Sequence, residues 1–166
     1  MGRRISGEQE NVMLYFAYGS NLDPNRSSAG LHAVRPAWLP ESRLGFTRHS
    51  RGWNGGVLDV LPEPGGAVRG MLCSVDHPEL LHAQEGPAYE RIERTVLHDD
   101  GTSEIALLYV VRRRRPFVVP AEAYLALVRR AYERCGFPLA PLDYAAAGPS
   151  GETPPAMGIF VYASKR

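Results

Sequence analysis

Short apolar runs separated by glycine and proline fill the first two thirds of this chain, and helical periodicity appears only after them. Runs of this length and composition predict β-strands. The predicted strands are Val12 to Tyr18, Ala33 to Leu39, Arg43 to Arg48, Gly56 to Leu61, Ala67 to Val75, Tyr89 to His98 and Glu104 to Val111. The polar stretches PEPGG (62–66) and HDDGTS (98–103) predict hairpin turns between the strands that flank them.

Helical signals are few and widely separated. Asp23 can cap a short helix that takes Pro24 in its first turn, and a second helix is predicted from His77 to Gln84. The longest helix is predicted from Pro120 to about Cys135, and a further short one from Leu139 to Ala147. Many strands with few helices predict an α+β fold, in which helices close one side of a curled, mixed β-sheet.

Composition restricts the class of protein. Lys and Arg total 19 against 18 Asp and Glu, which argues against a nucleic-acid-binding protein, where one sign of charge dominates a face. The first eleven residues are polar and no 18-residue apolar run occurs, so we expect no signal peptide, no membrane partner and a cytoplasmic location. Cys73 and Cys135 lie outside any C-x-x-C spacing, which indicates neither a zinc site nor a disulfide.

A chain of 166 residues is long enough to bury one core of its own. We predict a flexible tail over residues 1–11, one domain over 12–148, and a second tail over 149–166. This second tail begins as a linker rich in Pro, Gly and Ser and ends in a short apolar segment, Ile159 to Tyr162. We expect a monomer or a homodimer.

One local excess of charge interrupts the balance. Four consecutive arginines, Arg112 to Arg115, follow an apolar run and precede Pro116, which ends regular structure there. The pattern predicts a solvated strand end and loop. The alternative interpretation is a site for a phosphate-bearing partner.

The segment LYFAYGSNLD (14–23) begins with the aromatic content of a buried strand and stops abruptly at Gly19, Ser20 and Asn21. A Gly-Ser-Asn turn between a strand and a capped helix allows backbone N–H groups from both sides to converge on an anion. The turn therefore predicts a binding site for a carboxylate or a developing oxyanion. An ordinary connecting turn would have the same composition.

Glu85 is the second candidate for chemistry. It follows a predicted helix and precedes Gly86 and Pro87, so the chain must leave the helix there and can direct the carboxylate into a cleft. Partial burial of such a carboxylate raises its pKa towards neutrality, which suits a general base. The alternative is a solvated glutamate at a helix C-terminus.

These segments, taken in order, resemble a known family. The stretches that carry the resemblance, over roughly residues 12–148, are YFAYGSNL, GWNGGVLDV, VRGMLCSV, LLHAQEGPAYERI and VPAEAYLALVRRAYERCGFP. Together they are similar to the gamma-glutamylcyclotransferases, which release 5-oxoproline from γ-glutamyl compounds without a cofactor. The resemblance implies a mixed, barrel-like sheet with flanking helices. It also implies that Glu85 is the catalytic acid/base, and that the substrate is bound by Tyr18, Gly19, Ser20, Asn21, Leu22, Tyr109 and Tyr124.

The expected reaction is attack of the substrate's α-amino group on its own γ-carbonyl, with Glu85 moving the proton. Backbone N–H groups of residues 19–21 would hold either the oxyanion or the α-carboxylate, and the sequence leaves both open. A γ-glutamyl amino acid is the preferred substrate, and a γ-glutamyl amine is also compatible. Two alternatives remain: a non-catalytic binding module for γ-glutamyl or acidic small molecules, and an enzyme that removes a γ-glutamyl protecting group in a biosynthetic pathway.

Overall fold

The apolar runs close into a mixed barrel in the computed structural model, which describes residues 12–149. The strands follow the order β1-β3-β2-β4-β5, and neighbours pair antiparallel except where β1 meets β5. That parallel contact pairs Tyr15 with Leu107 and closes the barrel. The strands are β1 (Leu14–Ala17), β2 (Leu31–Ser50), β3 (Gly55–Val75), β4 (Tyr89–Leu97) and β5 (Ser103–Val111). The predicted α+β fold, a mixed, barrel-like sheet with flanking helices, is confirmed.

The sequence divided β2 and β3 into too many strands. Ala33 to Leu39 and Arg43 to Arg48 both belong to β2, and Gly56 to Leu61 and Ala67 to Val75 both belong to β3. The hairpin predicted at PEPGG is therefore wrong. Pro40 pairs with Ala67 and Ser42 with Pro62, so residues 63–66 form an irregular insertion within β3. Because a bulge needs no ladder hydrogen bond from a proline, the strand continues through this segment.

The turn that joins β2 to β3 lies instead at residues 51–54, where Asn54 adopts a positive φ of 55°. Asparagine is among the few residues that tolerate this conformation. The other predicted hairpin is confirmed, since β4 and β5 are antiparallel and Leu97 pairs with Ser103 across the HDDGTS turn.

The helices lie close to their predicted positions. They are α1 (Pro78–Glu85), α2 (Glu122–Cys135) and α3 (Ala140–Ala147). The short helix expected after Asp23 is a 3₁₀ turn, Pro24–Arg26, in which the Asp23 carboxylate accepts a hydrogen bond from Asn25 N at 3.0 Å. Helix α2 ends at Gly136, whose φ of 70° places it in the left-handed region that glycine adopts readily.

Strand β1 contributes to two apolar clusters because successive side chains point to opposite faces. Phe16 and Tyr18 belong to the larger cluster, which also contains residues of α2. Tyr15 and Ala17 belong to a smaller one, together with Leu81 of α1. The end of β1 is thus fixed on both faces, at the point where the Gly19 turn begins.

The two predicted tails lie outside the described residues, apart from Pro149. Both cysteines are free. Within residues 12–149, no helix is long and apolar enough to cross a membrane. The same part of the chain contains no group of three or more His, Cys, Asp and Glu side chains arranged to hold a metal ion.

A fully buried carboxylate, Asp59 in β3, connects the barrel to the arginine run. Its Oδ1 accepts from the backbone N–H groups of Val60 at 2.8 Å and Val111 at 3.0 Å. Its Oδ2 accepts from Thr47 Oγ1 at 2.9 Å and from Arg114 Nε at 2.6 Å. The run is exposed and follows the end of β5, as predicted, but Arg114 has a further role, since its guanidinium is the counter-ion of the buried Asp59 carboxylate.

We expect Arg114→Gln to lower the free energy of unfolding by about 2 kcal/mol or more, because it removes the cation paired with a buried carboxylate. Arg113→Gln is the matched control. Its side chain belongs to the same run and is exposed, so we expect a change within about 0.5 kcal/mol. Urea unfolding measures both variants, and equal effects would contradict the structural role of Arg114.

Candidate active site

A cleft opens where the chain leaves β1 and turns back beside α1. The residues around it come from β1 and the following turn, from β3, from the end of α1, and from β4, β5 and α2. They are Tyr15, Tyr18, Gly19, Ser20, Asn21, Leu58, Glu85, Tyr89, Tyr109 and Tyr124. The lining is aromatic apart from the turn, Leu58 and one carboxyl group. Segments that are far apart in the sequence thus surround the carboxyl group of Glu85.

Glu85 is the last residue of α1, and the chain leaves the helix through Gly86 at a φ of 72°. That left-handed conformation is accessible to glycine, so the helix can end abruptly with the carboxyl turned into the cleft. Burial raises the pKa of Glu85 from 4.5 to about 7. A hydrogen bond from Asn21 and the positive charge of Arg48 act in the opposite direction and are outweighed. The group can therefore exchange a proton near neutral pH.

The Asn21 side chain joins the turn to α1 and is itself buried. Its Nδ2 donates to Glu85 Oε1 at 2.8 Å and to the Tyr15 hydroxyl at 3.0 Å, while its Oδ1 accepts from Gln84 Nε2 at 3.0 Å. An asparagine amide carries two N–H donors, and both are engaged here. Asn21 therefore positions the Glu85 carboxyl, which leaves the backbone and the Ser20 hydroxyl as the groups of this turn that face the cleft.

The turn itself is a 3₁₀ turn over Ser20–Leu22, closed by bonds from Leu22 N to Gly19 O at 3.0 Å and from Asp23 N to Ser20 O at 3.1 Å. The first N–H groups of such a turn have no acceptor within it. Gly19 approaches α2 closely, since a Cβ there would lie 3.1 Å from the Tyr124 hydroxyl. The absence of a side chain at Gly19 keeps the cleft open at the turn.

Hydrogen bonds fix the tyrosine walls. Tyr18 donates to the Tyr109 carbonyl at 2.6 Å, and Tyr132 donates to the Tyr18 carbonyl at 2.8 Å. The Tyr124 hydroxyl accepts from Leu58 N at 3.2 Å. Burial raises the pKa of Tyr18 and Tyr124 well above its usual range. These phenols are therefore neutral at physiological pH and act as rigid polar walls.

The structure brings most of the sequence-predicted site residues into this one cleft, namely Tyr18, Gly19, Ser20, Asn21, Tyr109, Tyr124 and Glu85. Leu22 is placed differently, since it packs, partly buried, against both apolar clusters. The roles assigned to these residues in binding and proton transfer stay predictions.

Sequence reasoning missed Tyr15, Leu58 and Tyr89, which also line the cleft. Tyr15 and Leu58 lie in apolar runs that are typical of core strands, so their composition carries no functional signal. Tyr89 lies four residues after Glu85, beyond the Gly-Pro exit. Its closeness in sequence to Glu85, the candidate acid, is the signal that could have identified Tyr89 as a site residue.

Comparison with known proteins confirms the resemblance seen in the sequence. The family model described as "Gamma-glutamyl cyclotransferase, AIG2-like" matches residues 15–126. A protein of Homo sapiens named gamma-glutamylcyclotransferase is 30% identical over 149 residues, with 81% of this chain and 78% of the human one covered. Its counterpart from Bos taurus is 31% identical over 149 residues, with the same coverage. A solved structure named gamma-glutamyl cyclotransferase matches with a TM-score of 0.73 at 26% identity, covering 82% of this chain and 87% of the other.

The raised pKa of Glu85 predicts a pH-dependent stability difference between the wild type and Glu85→Gln. Between pH 4.5 and about 7 the folded protein keeps a proton that the unfolded chain has released, so the wild type loses stability as the pH rises through this window. Glutamine releases no proton. We expect Glu85→Gln to be more stable above pH 7, by about 2 to 3 kcal/mol, and the difference to vanish near pH 4.

Urea unfolding across this pH range measures the difference, with Glu90→Gln as the control. Glu90 is an exposed carboxylate of β4. We expect its substitution to give a small and nearly constant difference. A Glu85→Gln difference that does not change with pH would contradict the raised pKa.

Proposed function

The chain belongs to the gamma-glutamyl cyclotransferase, AIG2-like family and is an enzyme of that class, and we propose that it converts a γ-glutamyl amino acid or γ-glutamyl amine to 5-oxoproline and the free amine. The observation that carries the proposal is the position of Glu85. Its carboxyl lies in a cleft of neutral tyrosines, next to a turn that offers backbone N–H groups, and burial raises its pKa to about 7.

Glu85 serves as the general base of the first step. The α-amino group of the substrate is an ammonium ion with a pKa of about 8, and it becomes a nucleophile only after losing a proton. A glutamate with an ordinary pKa of about 4.3 would accept that proton poorly. At a pKa of about 7 the two groups are nearly matched, which is the condition for efficient proton transfer.

The second half of the reaction returns the same proton. The neutral α-amino nitrogen forms a bond to the γ-carbonyl carbon, and the carbonyl oxygen takes up the electron pair as an oxyanion. When the oxyanion collapses, the bond to the leaving nitrogen breaks, and Glu85 in its acid form protonates that nitrogen. The ring nitrogen is cationic after the attack and releases a second proton to solvent as the lactam forms. The products are then the five-membered lactam and a free amine, and Glu85 is again a carboxylate.

Negative charge on the substrate is assigned to the backbone of residues 19–21. Both N–H groups of the Asn21 amide are engaged with Glu85 and Tyr15, so the other donors of this turn are its main-chain N–H groups and the Ser20 hydroxyl. Such donors stabilise an oxyanion or a carboxylate without rearranging, and loss of one donor commonly costs about 3 kcal/mol of transition-state stabilisation.

Ring closure also requires a folded substrate, with the amine held against its own carbonyl. Holding reacting atoms in contact removes an entropic barrier that can reach about 7 to 11 kcal/mol. The walls formed by Tyr18, Tyr109 and Tyr124 are suited to this task because backbone groups hold the hydroxyls of Tyr18 and Tyr124, and the Tyr109 hydroxyl lies 3.5 Å from His82 Nδ1. Their hydroxyl groups can orient polar atoms of the substrate without adding charge.

We expect Glu85→Gln to lower kcat/KM for 5-oxoproline release by about 100-fold or more, because the amide has the shape of the acid but transfers no proton. In the wild type, kcat/KM should rise with pH through about 7 as Glu85 becomes a carboxylate. The measurement is 5-oxoproline formation from a panel of γ-glutamyl amino acids and γ-glutamyl amines between pH 5 and 9.

Glu90→Gln again serves as the control, and we expect it to retain wild-type turnover. A Glu85→Gln protein with near-normal turnover would refute the acid/base role. A non-catalytic binding module would give a different pattern, in which the wild type binds γ-glutamyl compounds and releases no 5-oxoproline. Removal of a γ-glutamyl protecting group is the same chemistry on another amine, so the substrate panel covers it.

We expect Gly19→Val to impair activity far more than stability. The added side chain would crowd the Tyr124 hydroxyl, which lies 3.1 Å from a Cβ at this position and is held by Leu58 N. It would also stand where substrate oxygens approach the turn. We expect kcat/KM to fall on the order of 100-fold, with a melting temperature within roughly 5 °C of the wild type.

Ser20→Ala is expected to have a smaller effect on activity than Gly19→Val, since the backbone N–H remains when the hydroxyl is removed. We expect it to lose less than about tenfold in kcat/KM. If the turn were an ordinary connection, any loss in Gly19→Val would track its unfolding. A Gly19→Val protein that is both stable and fully active would show that the turn binds nothing.

A further inference from the structure

Arg48 is a cation beside the cleft that the proposed reaction leaves unused. It lies in β2, immediately after a register shift between Phe46 and Arg48, and a bulge of this kind redirects side chains near active sites. Its guanidinium lies 5.2 Å from the centre of the Tyr89 ring, and Tyr89 lines the cleft. Arg48 also forms a side-chain hydrogen bond with Tyr89. Because a guanidinium has five N–H donors, others can still bind a carboxylate.

The charge of Arg48 is not neutralised by a neighbouring side chain. Among residues 12–149, the ion pairs within 4.0 Å do not include Arg48. Its field nevertheless reaches the cleft, where it opposes the larger effect of burial on the pKa of both Glu85 and Tyr89. Arg48 thus makes Glu85 a slightly weaker base. An anionic group on the ligand would give this cation a partner.

The proposed substrate carries such a group at a defined place. In a γ-glutamyl amino acid the leaving nitrogen is bonded to a Cα that bears a carboxylate, and the carboxylate carbon lies about 2.5 Å from that nitrogen. Glu85 must come within hydrogen-bond distance of the same nitrogen to protonate it. The leaving carboxylate is therefore held close to Glu85, in the region that the charge of Arg48 reaches.

We propose that Arg48, stacked on Tyr89, binds the carboxylate of the leaving amino acid and makes γ-glutamyl amino acids, rather than γ-glutamyl amines, the substrates of this cleft. This inference rests on the proposed cyclotransferase function. It assigns the two ends of the substrate to different parts of the protein. The turn at residues 19–21 holds the glutamyl oxygens, and Arg48 binds the carboxylate of the leaving amino acid.

Two substrates that differ by one carboxylate test the inference, γ-glutamyl-alanine and γ-glutamyl-ethylamine. We expect the wild type to prefer γ-glutamyl-alanine in kcat/KM on the order of 10- to 100-fold, the value of a charge-assisted hydrogen bond. Arg48→Gln should remove most of this preference. The ratio of the two substrates is the critical quantity, because any effect of Arg48 on the pKa of Glu85 changes both rates alike and cancels.

Arg43→Gln is the matched control. Arg43 lies in the same strand and is exposed, 3.5 Å from Glu63. We expect it to leave the ratio at the wild-type value. A wild type without preference, or an Arg48→Gln protein that loses equal activity on both substrates, would overturn the inference. Equal losses would indicate that Arg48 contacts the glutamyl part of the substrate or stabilises the fold.

A binding measurement separates this inference from the proposed reaction. Calorimetry with Glu85→Gln protein, with and without Arg48→Gln, reports affinity for the two compounds without turnover. A preference for γ-glutamyl-alanine that Arg48→Gln abolishes supports the inference, even if the wild type releases no 5-oxoproline and the proposed function fails. The absence of any preference in binding overturns it, even if the wild type turns over both compounds.

Discussion

The hydrogen-bonded carboxylate of Asp59 is the constraint on which the rest of this structure depends. It ties β3 to Thr47 of β2, to the end of β5 through Val111 N, and to Arg114 in the connection that leads to α2. The residue before it, Leu58, lines the cleft and donates its N–H to the Tyr124 hydroxyl. A buried carboxylate cannot lose its donors without a large penalty. Asp59 therefore fixes the strand that holds one wall of the active site.

Within residues 12–149, the carboxyl groups of Asp59 and Glu85 are both shielded from water but receive different numbers of hydrogen-bond donors. Asp59 receives hydrogen bonds from two backbone amides, a hydroxyl and a guanidinium, so both of its oxygens have donors. Glu85 receives one from the Asn21 amide, and burial raises its pKa to about 7. The protein thus holds Glu85 ready to accept and release a proton by giving it few donors. The enclosure that makes it reactive also lowers the stability of its charged form.

Features determined by local sequence were predictable. The helix that ends at Glu85, the Gly19 turn and the β4–β5 hairpin follow from residues within a few positions of one another. The continuity of β3 through residues 62–66 could not be predicted from the sequence. It depends on pairing with β2 and not on the local Pro and Gly content. The role of Arg114 could not be predicted either, because its partner, Asp59, lies 55 positions away in the sequence. Tyr15 was missed because its hydroxyl gains significance only once the fold brings Asn21 to it.

In the proposed function, different parts of the cleft serve the reaction and the choice of substrate. The backbone N–H groups of the turn do not depend on the Ser20 side chain, whereas Gly19 and Asn21 are constrained by the Tyr124 hydroxyl and the Glu85 carboxyl. The surroundings depend on side chains: Arg48 stacks on Tyr89, while Trp53, from the hairpin turn, packs edge-on against Tyr124 at 5.3 Å and carries Arg26 4.7 Å above its ring. These groups touch the walls but not the Asn21–Glu85 hydrogen bond, although the positive charge of Arg48 also lowers the pKa of Glu85. Under the proposed function, changes at these positions would alter the leaving group that the cleft accepts while the hydrogen bond between Asn21 and Glu85 is kept.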